Sequence, residues 1–234
     1  MSTGLSPPSR QRQRILRGAA RVFADHGYHG TSVRDLAAAV GCSPSSLYNY
    51  FPGKEDILHA LQTEAFETLI DAAETALAPE RDAVARLYVF IAHHLRYVAD
   101  NPHVMRVLVH EASSLPRTRR QTIRRSKERY FELGRSVLAE ILAAGCLDAP
   151  GRDDVDPREL ERLTYALFGA LNWVYGWYDA DLHGEPQELA RTIHRLVLCG
   201  VVARCPHRLL QDRLDGALAA AAPYSLIPLR GASA

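Results

Sequence analysis

Between Thr31 and Leu58 the chain reads TSVRDLAAAVGCSPSSLYNYFPGKEDIL, and its polar residues are of the kinds that bond phosphate oxygens and base edges. Ser32 and Ser43 stand just ahead of apolar-periodic stretches, where a hydroxyl and the free N–H groups of a helix start can hold phosphate oxygens. Arg34 carries the planar fork that bonds guanine bidentately, and Asn49 suits either a phosphate or an adenine edge. Pro44, Ser45 and Ser46 open the second stretch. Tyr48 and Tyr50 place phenol hydroxyls along it, and Lys54 follows as a point charge. Leu36, Ala37, Val40, Leu47 and Phe51 recur at helical spacing and form the inward side, with Ala37 small where two helices cross. Taken singly, the tyrosines read equally well as half-buried aromatics and Lys54 as a solvated lysine. Their joint spacing favours a DNA-reading surface.

Three short helices must position these groups. Met1 to Pro8 reads as a flexible arm, after which Ser9 caps a helix carrying Ile15, Ala19, Val22 and Phe23 inward and ending at Gly27. A second helix follows Ser32 and stops at Gly41. Ser43 then caps a third, with Pro44 in its first turn, that carries Leu47 and Phe51 and stops at Pro52 and Gly53. One helix braced on the backbone, a tight turn and a second helix entering the major groove is the helix-turn-helix layout.

A long amphipathic helix is expected from Lys54 to Pro79. Breaks at Pro102, at Ser113 to Pro116, at Gly145 through Pro157 and at Gly184 to Pro186 divide the remainder. They predict helices over Glu80–Asp100, Pro102–Glu111, Pro116–Ala144, Pro157–Asp179 and Pro186–Val202, with one more Ala-rich helix past Pro206. The fold class is therefore all-α: a DNA-binding domain over residues 9–53, a helical body over 54–205 and a C-terminal extension over 206–234.

The formal net charge of +1 hides an asymmetry. Through Lys54 the basic residues Arg10, Arg12, Arg14, Arg17, Arg21 and Arg34 face only Asp25 and Asp35, so the rest of the chain is net acidic. A basic head on an acidic trunk suits a nucleic-acid reader. Cys42, Cys146, Cys199 and Cys205 are widely spaced and form no CxxC pair, which reads as reduced packing thiols. With no membrane-length apolar run and no signal-peptide core at the start, a cytoplasmic location without membrane contact is expected.

The run from Phe23 to Leu61, with GYHGTSVRDLA, the Gly41 turn and LYNYFPGKEDIL, resembles the DNA-binding domain of TetR-type regulators. By that resemblance Arg34, Ser45, Ser46 and Tyr48 approach bases, while Ser32, Tyr50 and Lys54 hold phosphates. The small Pro44-Ser45-Ser46 start departs from relatives with longer polar side chains, so specificity leans on Arg34, Tyr48 and DNA shape. The resemblance also implies a homodimer on an inverted-repeat operator in double-stranded DNA, and a body that binds a small-molecule effector.

The body permits both roles. Leu160, Leu163, Leu167, Leu171 and Val174 form one stripe and Leu189, Ile193 and Leu196 another, suited either to a four-helix dimer interface or to the monomer core. Phe90, Met105, Tyr130, Phe168 and Trp173, with His94, His110 and Asn172 as orienting polar groups, suit a ligand pocket or an ordinary core. LNWVYGWY, from Leu171 to Tyr178, resembles more weakly the TetR-type regulators of lipid or aromatic-acid breakdown that respond to acyl-CoA thioesters. The basic run Arg117, Arg119, Arg120, Arg124, Arg125, Lys127 and Arg129 then serves CoA phosphates, or is a solvated face. No GxSxG, Walker A or HExxH motif is present, so no catalytic role, cofactor or metal is assigned. The other readings are a metal sensor using His103, His110 and cysteines, and a helical adaptor lacking salt-dependent DNA affinity.

Overall fold

The computed structural model describes residues 7–144 and 156–201. Most of the expected arm and the whole C-terminal extension lie outside them, as do Cys146 and Cys205. Among the described residues all regular structure is helical: α1 Pro7–His26, α2 Val33–Val40, α3 Pro44–Tyr48, α4 Lys54–Leu77, α5 Ala83–Asp100, α6 Pro102–His110, α7 Arg117–Ala144, α8 Pro157–Asn172, α9 Ala180–His183 and α10 Pro186–Val201. None is long and apolar enough to cross a membrane.

Pro7 and Pro8, expected in the arm, instead open α1, because proline lacks only an N–H that a first helical turn leaves unbonded anyway. α2 is closed at its start by a reciprocal capping box between Ser32 and Asp35. At its end Gly41 adopts φ 71°, ψ 44°, a left-handed conformation that glycine enters without a Cβ penalty. The Cys42 N–H then reaches back to the Ala37 carbonyl at 3.0 Å, and the chain turns into α3. Leu36, Ala37, Val40, Leu47 and Phe51 are all buried as expected, against Ile15, Ala19 and Phe23 of α1. Burial of each such large side chain stabilises the head by roughly 1.5–3 kcal/mol. Gly18 permits the closest approach: a Cβ there would stand 2.6 Å from Val40 Cγ2, so α1 and α2 touch where only a hydrogen fits.

α4 carries Ile57, Leu58 and Leu61 toward the head and Leu69, Ile70, Ala73 and Leu77 into the body. α5 is the centre of the body, packing on α4, α7, α8 and α10. Its Leu87, Phe90, Ile91 and Leu95 are almost wholly withdrawn from water.

Two expectations about the body are corrected. The helix expected over Pro157–Asp179 ends at Asn172; a single 3-10 turn, Val174–Gly176, and the short α9 follow. Val174 is buried and the Tyr178 hydroxyl donates to the Gly184 carbonyl at 2.7 Å, so tertiary contacts hold this segment in its non-helical path. The second concerns the stripes, which suit either a dimer interface or the monomer core: much of both is covered by the monomer itself. Leu160, Leu167, Leu171, Val174 and Ile193 are buried within the monomer, and Leu163 and Leu189 are partly covered by it. Leu196, 68% exposed, is the stripe residue that the monomer leaves most open. The apolar period marked the side facing α5 and α7, because a monomer must cover that side before it meets a second copy.

Candidate nucleic-acid interface and ligand cavity

The outward face of α2 and α3 holds Arg34, Pro44, Ser45, Tyr48 and Asn49, all exposed. Tyr48 is 52% exposed although its neighbour Leu47 is fully buried, so the helix presents its phenol outward. Ser43 accepts the Ser46 N–H at 3.1 Å and lies 2.9 Å from the Ser45 hydroxyl, which makes it the cap expected of it. Ser46 and Tyr50 are half-buried, and Tyr50 packs against the core.

Two expected phosphate contacts are placed differently. The Ser32 N–H and hydroxyl both donate to the Asp35 carboxylate, each at 2.7 Å. Those bonds, the hydroxyl's first, hold the Asp35 carboxyl below its ordinary pKa, so it stays anionic where a phosphate was expected. Lys54 is half-buried, not a free point charge. Its ammonium donates to the carbonyls of Tyr28 and Thr31, both at 2.8 Å, and lies 4.3 Å from the Tyr28 ring centre. Ser32 and Lys54 therefore hold the head together, which the spacing of the motif did not reveal.

Further polar contacts join head to body and α4 to the rest of the body. The Glu111 carboxylate, just past α6, accepts the Tyr28 N–H at 3.0 Å, and its carbonyl accepts Gln62 Nε2 at 3.1 Å. Arg119 pairs with Glu55 at 2.9 Å and Asp56 at 2.7 Å, and Arg12 pairs with Glu64. These partners lie far apart in sequence, beyond the reach of any local pattern.

In the body, a cavity of about 330 Å³ lies between α4, α5, α6, α7 and α8. His94, Met105, Tyr130, Phe168 and Asn172 line it, as expected. The other three expected residues do not. Phe90 packs behind the wall against Tyr130 and Phe168, with ring centres 5.5 and 6.0 Å apart. His110 lies outside, with Nε2 2.7 Å from the Tyr175 hydroxyl, and Trp173 is 62% exposed. Phe66, Leu69, Leu108 and Phe131 complete the apolar wall. They sit on turns of three helices, each indistinguishable in sequence from core.

His94 Nδ1 lies 3.0 Å from the Tyr130 hydroxyl, while its Nε2 is buried without a hydrogen-bond partner. Burial, with a smaller contribution from His93, pushes the His94 pKa down to about 3, so the ring is neutral. Burial likewise raises Tyr130 well above the phenol range. The deep wall is thus uncharged at neutral pH. Lys127 is the one charged residue among the described residues lining the cavity; it is exposed, and Tyr165 and Asn172 stand with it.

The basic run of α7 divides by direction. Arg119 and Arg129 reach α4, Arg129 pairing with Glu74 at 2.7 Å. Arg117, Arg120, Arg124 and Lys127 recur at steps of three and four and so share one face, over about 15 Å of helix. Arg125 lies off it. Arg124 pairs only with Glu128, one turn on and exposed, an interaction worth a few tenths of a kcal/mol and easily exchanged.

Among the described residues no three His, Cys, Asp or Glu side chains gather as a metal site. Residues 15–61 match the model of bacterial regulatory proteins of the tetR family, and residues 80–201 match that of tetracyclin repressor-like C-terminal domains. The chain is 24% identical to the fatty acid metabolism regulator protein of Bacillus subtilis (strain 168), over 80% of this chain and 93% of that one. It is 32% identical to the TetR family transcriptional regulator PfmR of Thermus thermophilus, with a TM-score of 0.68 over 79% of this chain and 97% of that one. AibR, solved with isovaleryl coenzyme A and operator DNA, shares the fold at a TM-score of 0.67 and 21% identity, over 80% of this chain and 97% of AibR. With both halves matched in order, a helix-turn-helix head ahead of a helical body, the chain belongs to the tetR family of bacterial regulatory proteins.

Proposed function

We propose that this chain represses transcription as a homodimer on an inverted-repeat operator, and that an apolar ligand with an anionic tail, an acyl-CoA thioester first among them, releases it. What carries the reading is the cavity of about 330 Å³ whose lone cation, Lys127, ends the Arg117–Arg120–Arg124 face of α7. The volume is at the lower end of ligand pockets and suits an acyl or aromatic group, not a nucleotide as well. Phosphates then lie outside along the helix, where guanidinium groups bond them. The names of two related proteins, a fatty acid metabolism regulator and AibR with isovaleryl coenzyme A, support this class of ligand.

Arg34, Tyr48 and Asn49 meet the bases or phosphates of each half-site, from a head repeated by two-fold symmetry. The dimer uses the face of α8 that the monomer leaves uncovered: Tyr165 and Trp173, each 62% exposed, with Ala166, Gly169 and Ala170 between them, joined by Leu196 of α10. A ligand releases DNA only by preferring the arrangement whose recognition helices no longer match successive major grooves, about 34 Å apart.

The test titrates isovaleryl-CoA, longer acyl-CoA thioesters and their free acids against the protein bound to DNA fragments selected from the source genome. Release by thioesters, weakened in Arg120→Ala/Lys127→Ala, is expected. Release by free acids alone, or an unchanged thioester response in the double variant, removes α7 from the sensor.

A further inference from the structure

The helices α4, α5 and α6 wall a second hollow, on the side that meets the head. About 270 Å³ of space opens where α1 crosses them. Adjacent residues of the same helices serve the two spaces: Phe66, Leu69 and Met105 line the ligand cavity, whereas Ala65, Thr68 and Val104 line this one. Leu16 and Leu61 join Ala65 and Val104 as its apolar side, and Gln13, Arg17, Glu64, Thr68, Tyr97 and Asn101 bring polar groups to it.

Its polar groups differ in whether they have a partner within the chain. Glu64, the acid of the lining, is bonded to Arg12, and Asn101 Nδ2 donates to the Tyr97 carbonyl at 3.0 Å. The Arg17 guanidinium and the Tyr97 hydroxyl, both in the lining, have no hydrogen bond or ion pair among the described residues. Burial holds the Tyr97 phenol well above its ordinary range, so it remains an O–H donor at any physiological pH. A fixed cation and a neutral donor at one hollow with an apolar side match the two oxygens of a carboxylate, one on the guanidinium and one on the phenol. The opposite charge finds no free acid there, because Glu64 is already neutralised. A volume just under the usual range for drug-sized ligands limits the guest to one ring or a short branched chain.

We infer that this junction is a second ligand site, taking a small monocarboxylate with a compact apolar body, its carboxylate held between Arg17 and Tyr97. Such a guest touches α1 of the head and α4 to α6 of the body together, and so holds the head in the arrangement found here. The inference does not depend on thioesters acting in the inner cavity, and its measurement needs no DNA, so either can fail alone.

The experiment is calorimetric titration of benzoate, with benzylamine as the same ring of opposite charge, into the full chain and into Arg17→Gln and Tyr97→Phe. One substitution is on an exposed side chain and the other keeps the ring, and thermal melting of the free variants checks that both fold. Benzoate is expected to bind the unaltered chain and benzylamine not to. Loss of a charge-assisted bond should weaken benzoate about tenfold or more in Arg17→Gln, and loss of a neutral one about fivefold in Tyr97→Phe. Failure of benzoate to bind, equal binding of benzylamine, or benzoate binding that survives both substitutions overturns the site.

Discussion

Lys54→Met separates a structural lysine from a DNA-contacting one, because methionine keeps the stem against Tyr28 and removes only the charge and its donors. In the structure the ammonium makes two bonds of 2.8 Å to the Tyr28 and Thr31 carbonyls and sits over the Tyr28 ring. Hydrogen bonds from a charged donor contribute about 1.5–3 kcal/mol each when well buried, and an exposed cation–π contact about 0.5–1 kcal/mol. Lys54 is half-buried, so solvent screening discounts these, and about 2–3 kcal/mol in all is reasonable. For a chain of this size that lowers the melting temperature by roughly 4–12 °C. Operator affinity falls with it, since the turn between α1 and α2 that positions Arg34 is loosened. The dependence of log affinity on log salt should stay the same, because no phosphate contact is lost. A lysine that neutralised a phosphate would instead reduce that slope by about 0.9 and leave the melting temperature unchanged. The second pattern would refute the assignment of Lys54 as a clamp.

Arg34→Ala should cost on the order of 1–3 kcal/mol on the preferred operator and little on unrelated DNA, relaxing sequence preference in a selection experiment; uniform weakening would make Arg34 a phosphate contact. Leu171→Arg places a charge at a position fully buried in the monomer, so circular dichroism should show an unfolded or molten chain. By contrast, Trp173→Glu with Leu196→Glu should give folded monomers by light scattering, and a persisting dimer would put the interface elsewhere. The buried neutral His94 has a folded pKa near 3, below its value in an unfolded chain, so its contribution is fully present above about pH 6.5 and declines as pH falls toward 3. Acid unfolding should therefore carry up to about 1.4 kcal/mol per pH unit from this residue, and His94→Gln should flatten that stretch of the stability curve.

The head was legible because each of its boundaries is marked locally: Gly41 must turn left-handed, Ser43 and Pro44 must start a helix, and Leu47 and Phe51 must go inward. The same local logic did not show what Lys54 and Ser32 bond within the chain. Their partners are a carbonyl pair more than twenty residues away and a carboxylate three residues on, and both compete with DNA for the same donors. In the body, periodicity showed which side of α8 is apolar but not what covers it. Leu167 and Leu171 meet their own monomer, while the small and aromatic residues beside them form a second helical face that stays exposed, and periodicity alone does not say which of the two faces the monomer covers. The end of α8 went unseen because no proline breaks Leu171 to Tyr178 and the aromatic residues continue past Gly176; the burial of Val174 and the Tyr178 bond to Gly184 accompany the chain's departure from the helix. Five cavity residues were found and three misplaced, since an aromatic side chain reads alike in sequence whether it walls a space or fills one.

α3 is a helix of only five residues, too short to persist by its own hydrogen bonds, and Leu47 within it and Phe51 just beyond carry its attachment to the head. The side chains that face outward from it beyond the Pro44 start, Ser45, Tyr48 and Asn49, bury little and support little. On the proposed reading, recognition and folding fall to separate residues within one short segment. Substitutions at the outward positions can retarget the operator at nearly constant stability, so a lineage of such chains can change which genes it governs one residue at a time without passing through unfolded intermediates. The body tolerates no such separation around His94 and Tyr130, where the same side chains are cavity wall and core at once.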